Sequence, residues 1–205
     1  SVGAPAKIYP QLHALGMKGL HVVLSLPHAL KAVRDEVDGL VVSGAESGGI
    51  RSVGSESSTL VLVPLVADQV RVPLVAAGGI ADKRGYRAAL ALGAQGVQIG
   101  TRLIASEESP APTAWKEAIV ACGDGGTTLL PIREMNTNMR VVANPKMQRL
   151  LADRSVDVSQ EYRFADAPRA WTTGDFDLFP AGAGQVAALI REIRPVKDIV
   201  AEMVS

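Results

Sequence analysis

A single cysteine, Cys122, stands among 205 residues. No disulfide can close within such a chain and no cysteine-rich metal site can be built from it, a usage suited to a reducing cytoplasm. Aromatic residues are scarce at 4%, so aliphatic side chains must make the core. Neither sign of charge prevails: 21 basic residues balance 21 acidic ones, and neither forms a long run. That balance removes the electrostatic footprint of a nucleic-acid binder or of a protein drawn to an anionic membrane. No apolar run approaches the roughly 20 residues that cross a bilayer. The opening SVGAPAKIYP lacks the basic region and apolar stretch of a signal peptide. No His, Asp or Glu cluster has metal-ligand spacing. What remains is a soluble protein acting on a small molecule, and any redox chemistry in it needs a borrowed cofactor.

Apolar residues make up 47% of the chain, enough to bury a substantial core and to exclude disorder. Short β-branched runs alternate with Ala- and Leu-rich stretches, the rhythm of βα units around a parallel sheet. HVVLSL (21–26) reads as a strand, PHALKAVRDEV (27–37) as a helix opened by Pro27, and DGLVVSG (38–44) as a strand buried on both faces. AESGGIRSVGSESS reads as a loop, followed by a helix to about Val70 that starts or kinks at Pro64. PLVAAGGI (73–80) is the next strand and turn. Asp82 then caps a helix that stops at Gly93, and AQGVQIGT (94–101) repeats the arrangement.

The rhythm changes near Gly123. Residues 127–154 offer two strands and a short helix, and residues 153–173 have no period, so this stretch reads as an excursion beside the α/β part. Near the end, Val186, Leu189, Ile190 and Ile193 fall at i, i+3, i+4 and i+7, and Val196, Ile199, Val200 and Met203 repeat that spacing after Pro195. Both are expected to be core-facing helical stripes. The division expected is 1–122 for the α/β part, 123–180 for an appended excursion or lid, and 181–205 for closing helices.

AAGGI (76–80) and QIGT (98–101) each end a strand and are separated by one helix. In (βα)8 barrels the loops after the last two strands form a phosphate site. Without a Cβ, Gly78, Gly79 and Gly100 let backbone N–H groups approach phosphate oxygens. Thr101 adds a hydroxyl donor, and a helix N-terminus adds partial positive charge.

The stretch DGLVVSGAESGGIRS, continued by PLVAAGGIADKRGYRAALALGAQGVQIGTRLIASEES and AWKEAI, resembles the second half of the nitronate monooxygenase (2-nitropropane dioxygenase) family and of the related FMN-dependent enoyl-acyl-carrier-protein reductases. GAGQVAALI is similar to that family's closing helix. The resemblance implies the C-terminal part of a (βα)8 TIM barrel, about strands 4 to 8, with a small appended α+β excursion. In that count the opening SVG is the tail of strand four, and strands one to three are missing; an incomplete chain from a longer enzyme is preferred over a half-barrel that pairs with another chain or a degenerate product, because an open parallel edge disfavours an isolated half. It also implies an FMN whose phosphate lies against Gly78, Gly79, Gly100 and Thr101, with Gln98 and the Gly48–Gly49 loop nearby; the reading from there is an oxidoreductase using either an external reductant, with NADH or NADPH the candidates, or oxygen. One departure stands out. Where nitronate-oxidising members carry two glycines and then a proton-handling histidine, this chain has Gly48, Gly49 and Ile50, so no catalytic residue is assigned. The functions this leaves are a divergent nitronate monooxygenase-like oxidoreductase, an enoyl-thioester or quinone reductase of the same superfamily, or a catalytically silent FMN- or phosphate-binding scaffold.

Other residues carry less. His13, His21 and His28 read as structural or surface histidines. Glu46 and Arg51 flank the Gly48–Gly49 loop, either as substrate or proton contacts or as solvated charges. Trp115, Ile119 and Cys122 share one helical face, which makes Cys122 a core residue. Trp171, in the aperiodic stretch near Phe176 and Phe179, reads as packing.

Overall fold

A computed structural model describes residues 5–54 and 56–205; the SVG read as the tail of strand four lies outside them. In chain order the elements are α1 (Pro5–Ala14), β1 (Leu20–Val23), α2 (Leu26–Arg34), β2 (Gly39–Ser43), β3 (Gly49–Arg51), α3 (Thr59–Ala67), β4 (Leu74–Ala77), α4 (Lys83–Ala91), β5 (Gly96–Gln98) and α5 (Thr101–Ile104). Then follow α6 (Thr113–Val120), β6 (Thr127–Ile132), β7 (Thr137–Val142), α7 (Pro145–Ala152), α8 (Ala167–Thr173) and α9 (Val196–Val204). They divide into two compact units, residues 1–46 with 55–98 and residues 47–54 with 99–205.

The first unit is an α/β layer. Its strands lie parallel in the order β1-β2-β4-β5, with Val41 between Val22 and Val75 and Ala77 opposite Gln98. Every residue of β2 is buried, which its unbroken apolar character requires. Ser25 caps α2 by accepting from the His28 N–H at 3.3 Å. Helix α3 carries no charge over TLVLVPLVA and runs through Pro64 rather than starting there. Its Leu62, Val63 and Val66 are fully buried, each such side chain being worth roughly 1.5–3 kcal/mol. Leu60, Val61 and Leu65 on the same helix are exposed.

The second unit is built on an antiparallel sheet, β3-β7-β6. Here the loop expected over 45–58 is corrected: Gly49–Arg51 is a strand, with Ile50 paired to Met139 and Arg51 to Asn138. Three residues are too few to show alternation, and their partner lies nearly ninety positions on. Leu130, Ile132, Met139 and Val141 turn one face of the sheet into a core with Met147, Tyr162 and Phe179. The aperiodic stretch resolves into short 3-10 turns at Val158–Gln160 and Phe164–Asp166 and the helix α8, which buries Ala167 and Ala170.

The first terminal stripe is also corrected. Gln185–Leu189 is a 3-10 turn and Leu189 is exposed. The bonds of this turn span three residues, Ala187 N–H to Gly184 O at 3.0 Å and Ile190 N–H to Ala187 O at 2.9 Å, and beyond it Glu192 O accepts from the Arg102 guanidinium at 2.8 Å and Arg194 O from the Glu107 N–H at 3.0 Å. The second stripe is helical as α9, burying Ile199 and Met203 but leaving Val200 exposed.

Candidate functional site

Within the first unit, β4 ends at Ala77 and the chain turns through Gly78 and Gly79 at φ 96° and 73°, a region that side chains rarely tolerate. The carbonyls of this turn are held. Ala77 O accepts from the Gly44 N–H at 3.0 Å and faces the Thr59 hydroxyl at 3.2 Å, and Gly78 O faces the same hydroxyl at 3.0 Å. Among the described residues the Gly78 and Gly79 N–H groups meet no protein acceptor. Successive free N–H groups on such a turn form an anion-receiving concavity.

Helix ends contribute less than the sequence suggests. Asp82 caps α4, accepting from the N–H groups of Arg84 at 2.9 Å and Gly85 at 3.4 Å, so those donors are already satisfied. Helix α5, after Gly100, is only four residues long. Among the described residues the free N–H donors here are therefore those of the glycine turn itself. Gln98 ends β5 with its side chain exposed, opposite Ala77.

Within the second unit, Gly100 precedes α5 at φ −115°, and a Cβ there would meet open space. Thr101 is buried. Its Oγ1 accepts from the Gly184 N–H at 2.9 Å, which fixes the hydroxyl and leaves its proton to be donated. Gly48 is held by close approach: a Cβ there would lie 2.6 Å from Gly184 N. Gly49, at φ 75°, opens β3, and Ile50 follows it with 41% of its surface exposed.

The charges flanking this loop separate in role. Glu46, in the first unit, is neither loose nor solvated: its two carboxylate oxygens lie 3.0 and 2.8 Å from the Thr59 N–H at the start of α3. Arg51 is buried to 1% exposure, and its carbonyl accepts from the Thr137 hydroxyl. His13 pairs with Asp38 at 3.0 Å. His21 and His28, seven residues apart, meet at 3.3 Å between their Nε2 atoms, and burial pushes both imidazoles below their ordinary value. Burial likewise pushes the Cys122 thiol up, and its side chain lies in the core as its helical face implies. Trp171 packs against Phe179 and Phe164.

A family model for nitronate monooxygenase matches residues 2–205. The chain belongs to that family. Its members form a class of FMN-dependent oxidoreductases. The chain is 35% identical to the nitronate monooxygenase of Pseudomonas aeruginosa, covering 98% of this chain and 60% of that protein. It is 31% identical to that of Neurospora crassa, covering 98% and 57%. Among solved structures, FabK from Thermotoga maritima matches with a TM-score of 0.87 at 35% identity, over 99% of this chain and 65% of that one. The fold is the α/β barrel type of these relatives, of which the chain spans 57–60% of the curated proteins' length.

For a member of this family, two site features were hidden in the sequence. Thr59 looks like an ordinary helix starter, and nothing marks it as a partner of carbonyls 18 and 19 residues away. The AGAG run at 181–184 does carry a signal, since small residues in series mark close backbone approach. Gly184 is where Thr101 and Gly48 each make theirs.

Proposed function

We propose that the chain is the phosphate-holding portion of an FMN-dependent oxidoreductase of nitronate monooxygenase type, working on a small molecule with NADH or NADPH in a reducing cytoplasm. The observation that carries this is the Gly78–Gly79 turn: its carbonyls are engaged and its two N–H groups meet no protein acceptor. In the first unit those groups would bind the phosphate, and the exposed Gln98 would be a further cofactor contact. In the second unit the family resemblance implies the Thr101 hydroxyl, Gly100 and the Gly48–Gly49 segment as cofactor contacts. Bound FMN supplies two-electron transfer; the chain's residues supply position.

Proton handling is where this chain departs from nitronate oxidation. Ile50 is apolar and β-branched, and it neither accepts nor donates a proton. General acid–base help of this kind is worth about 10²–10⁴-fold. Ile50 therefore favours a quinone-like acceptor over a nitronate, the protons coming from elsewhere or from water; an enoyl-thioester, which takes up a proton at Cα, is as poorly served by Ile50 as a nitronate is.

The test is made on the purified protein. It should carry FMN, be bleached by NADH or NADPH, turn over nitronates slowly, and gain roughly 100-fold in nitronate turnover on Ile50→His. A protein that binds no FMN would overturn the cofactor assignment. Bound FMN that neither nicotinamide bleaches would make it a silent scaffold, and brisk nitronate oxidation by the wild type would make Ile50 irrelevant.

A further inference from the structure

The Gly78–Gly79 turn is braced from behind by two side chains with no assigned role. Thr59 is 7% exposed, and its Oγ1 lies 2.9 Å from Glu46 Oε2, 3.0 Å from Gly78 O and 3.2 Å from Ala77 O. One hydroxyl proton serves all three acceptors. Glu46 fixes the position of that hydroxyl, because both its oxygens take the Thr59 N–H. Its charge also sits at the start of α3, a helix whose N-cap Ser58 makes no side-chain bond and where an anion is favourable. Room is tight at Gly44, where a Cβ would come within 2.2 Å of Thr59 N and Oγ1, while one on Gly79 would meet Glu46 Cβ in ordinary contact at 3.6 Å.

Peptide planarity turns this bracing into an orientation. In a trans peptide the C=O and the following N–H point opposite ways, and there is no cis bond among the described residues. With Ala77 O and Gly78 O drawn toward Thr59, the N–H groups of Gly78 and Gly79 are turned away from it, to the side where an anion can meet them.

We propose that Glu46 and Thr59 are positioning residues that hold the Gly78–Gly79 turn in its anion-receiving conformation, so that they set the selectivity of the site for a phosphorylated flavin over the unphosphorylated one. This rests on the assignment of that turn to the FMN phosphate. Glu46 here acts through Thr59, as a brace rather than a proton handler.

Binding of FMN and of riboflavin to the flavin-stripped protein, measured by quenching of flavin fluorescence, tests it. The wild type should prefer FMN. Thr59→Val and Glu46→Ala should weaken FMN binding by roughly 10- to 100-fold while riboflavin binding stays at the wild-type value, so that the preference collapses. Thr59→Ser keeps the hydroxyl, and Glu46→Gln keeps an oxygen for the Thr59 N–H, so both should retain the preference; they also keep the test decisive if a more drastic variant does not fold. A wild type with no preference for FMN overturns the phosphate assignment and this inference with it. A wild type that prefers FMN, with Thr59→Val or Glu46→Ala keeping that preference or losing both flavins equally, overturns the positioning role alone. Loss of the preference in Thr59→Ser or Glu46→Gln also overturns it.

Discussion

Gly78 and Gly100 look equivalent in the sequence, each the glycine after a strand in one of two matched loops. The backbone separates them. Gly78 sits at φ 96°, so any side chain there adds strain of about 1–2 kcal/mol whatever the ligand does. Gly100 sits at φ −115° with open space where a Cβ would go, so the protein itself accepts a larger residue. Gly100→Val should therefore leave the melting temperature within a degree or two of wild type while weakening FMN binding at least tenfold, and Gly78→Val should lower both. Thermal melts run beside FMN titrations read the two effects apart. Unchanged FMN affinity in Gly100→Val would remove that glycine from the cofactor site.

Elements with a strong local signal were legible in advance. The Asp82 cap, the burial of β2 and the two strands of the excursion follow from turn chemistry and apolar runs alone. What stayed hidden was non-local: β3 exists only because β7 pairs with it, and past the 3-10 turn at Gln185–Leu189 the chain is tied to residues far back in sequence, Glu192 O to Arg102 and Arg194 O to Glu107. Glu46 was ambiguous for the same reason, as its capping partner lies 13 residues away. The Asp82 cap also makes a prediction about pH. The Arg84 guanidinium, at 2.6 Å, and then the Arg84 and Gly85 N–H groups hold its carboxyl below the usual carboxylate range, against the opposing effect of burial. A depressed folded value means that the stabilisation is fully present above the unfolded value, about 3.9, and is lost as pH falls through the folded one. Asp82→Ala should cost about 1 kcal/mol at pH 7, with the gap from wild type closing below about pH 4. Urea unfolding of both proteins at pH 7 and pH 3.5 checks it, and an equal gap at the two pH values would mean that the cap works without its charge.

At the scale of the whole molecule the question is what the exposed apolar surface does. Scattered apolar residues on a surface need no explanation, but those of the first unit, Leu90 apart, gather in two places. Ile8, Leu15, Met17 and Leu20, at 50–75% exposure, run from α1 to the start of β1. Leu60, Val61 and Leu65 lie on α3, whose nine residues include no charge to keep it in water. A helix apolar all round is ordinarily a buried one. In this family the curated relatives are longer than the chain, and patches of this kind are the surfaces that further protein covers or that drive association. The 205-residue chain on its own should therefore bind the dye ANS and self-associate at micromolar concentration. Replacing Leu60 and Leu65 with Lys should reduce association without lowering stability by more than about 0.5 kcal/mol, since both side chains point into solvent. Light scattering across a dilution series measures this, and a monodisperse monomer at every concentration, with no ANS fluorescence, would show that the exposed leucines are ordinary surface.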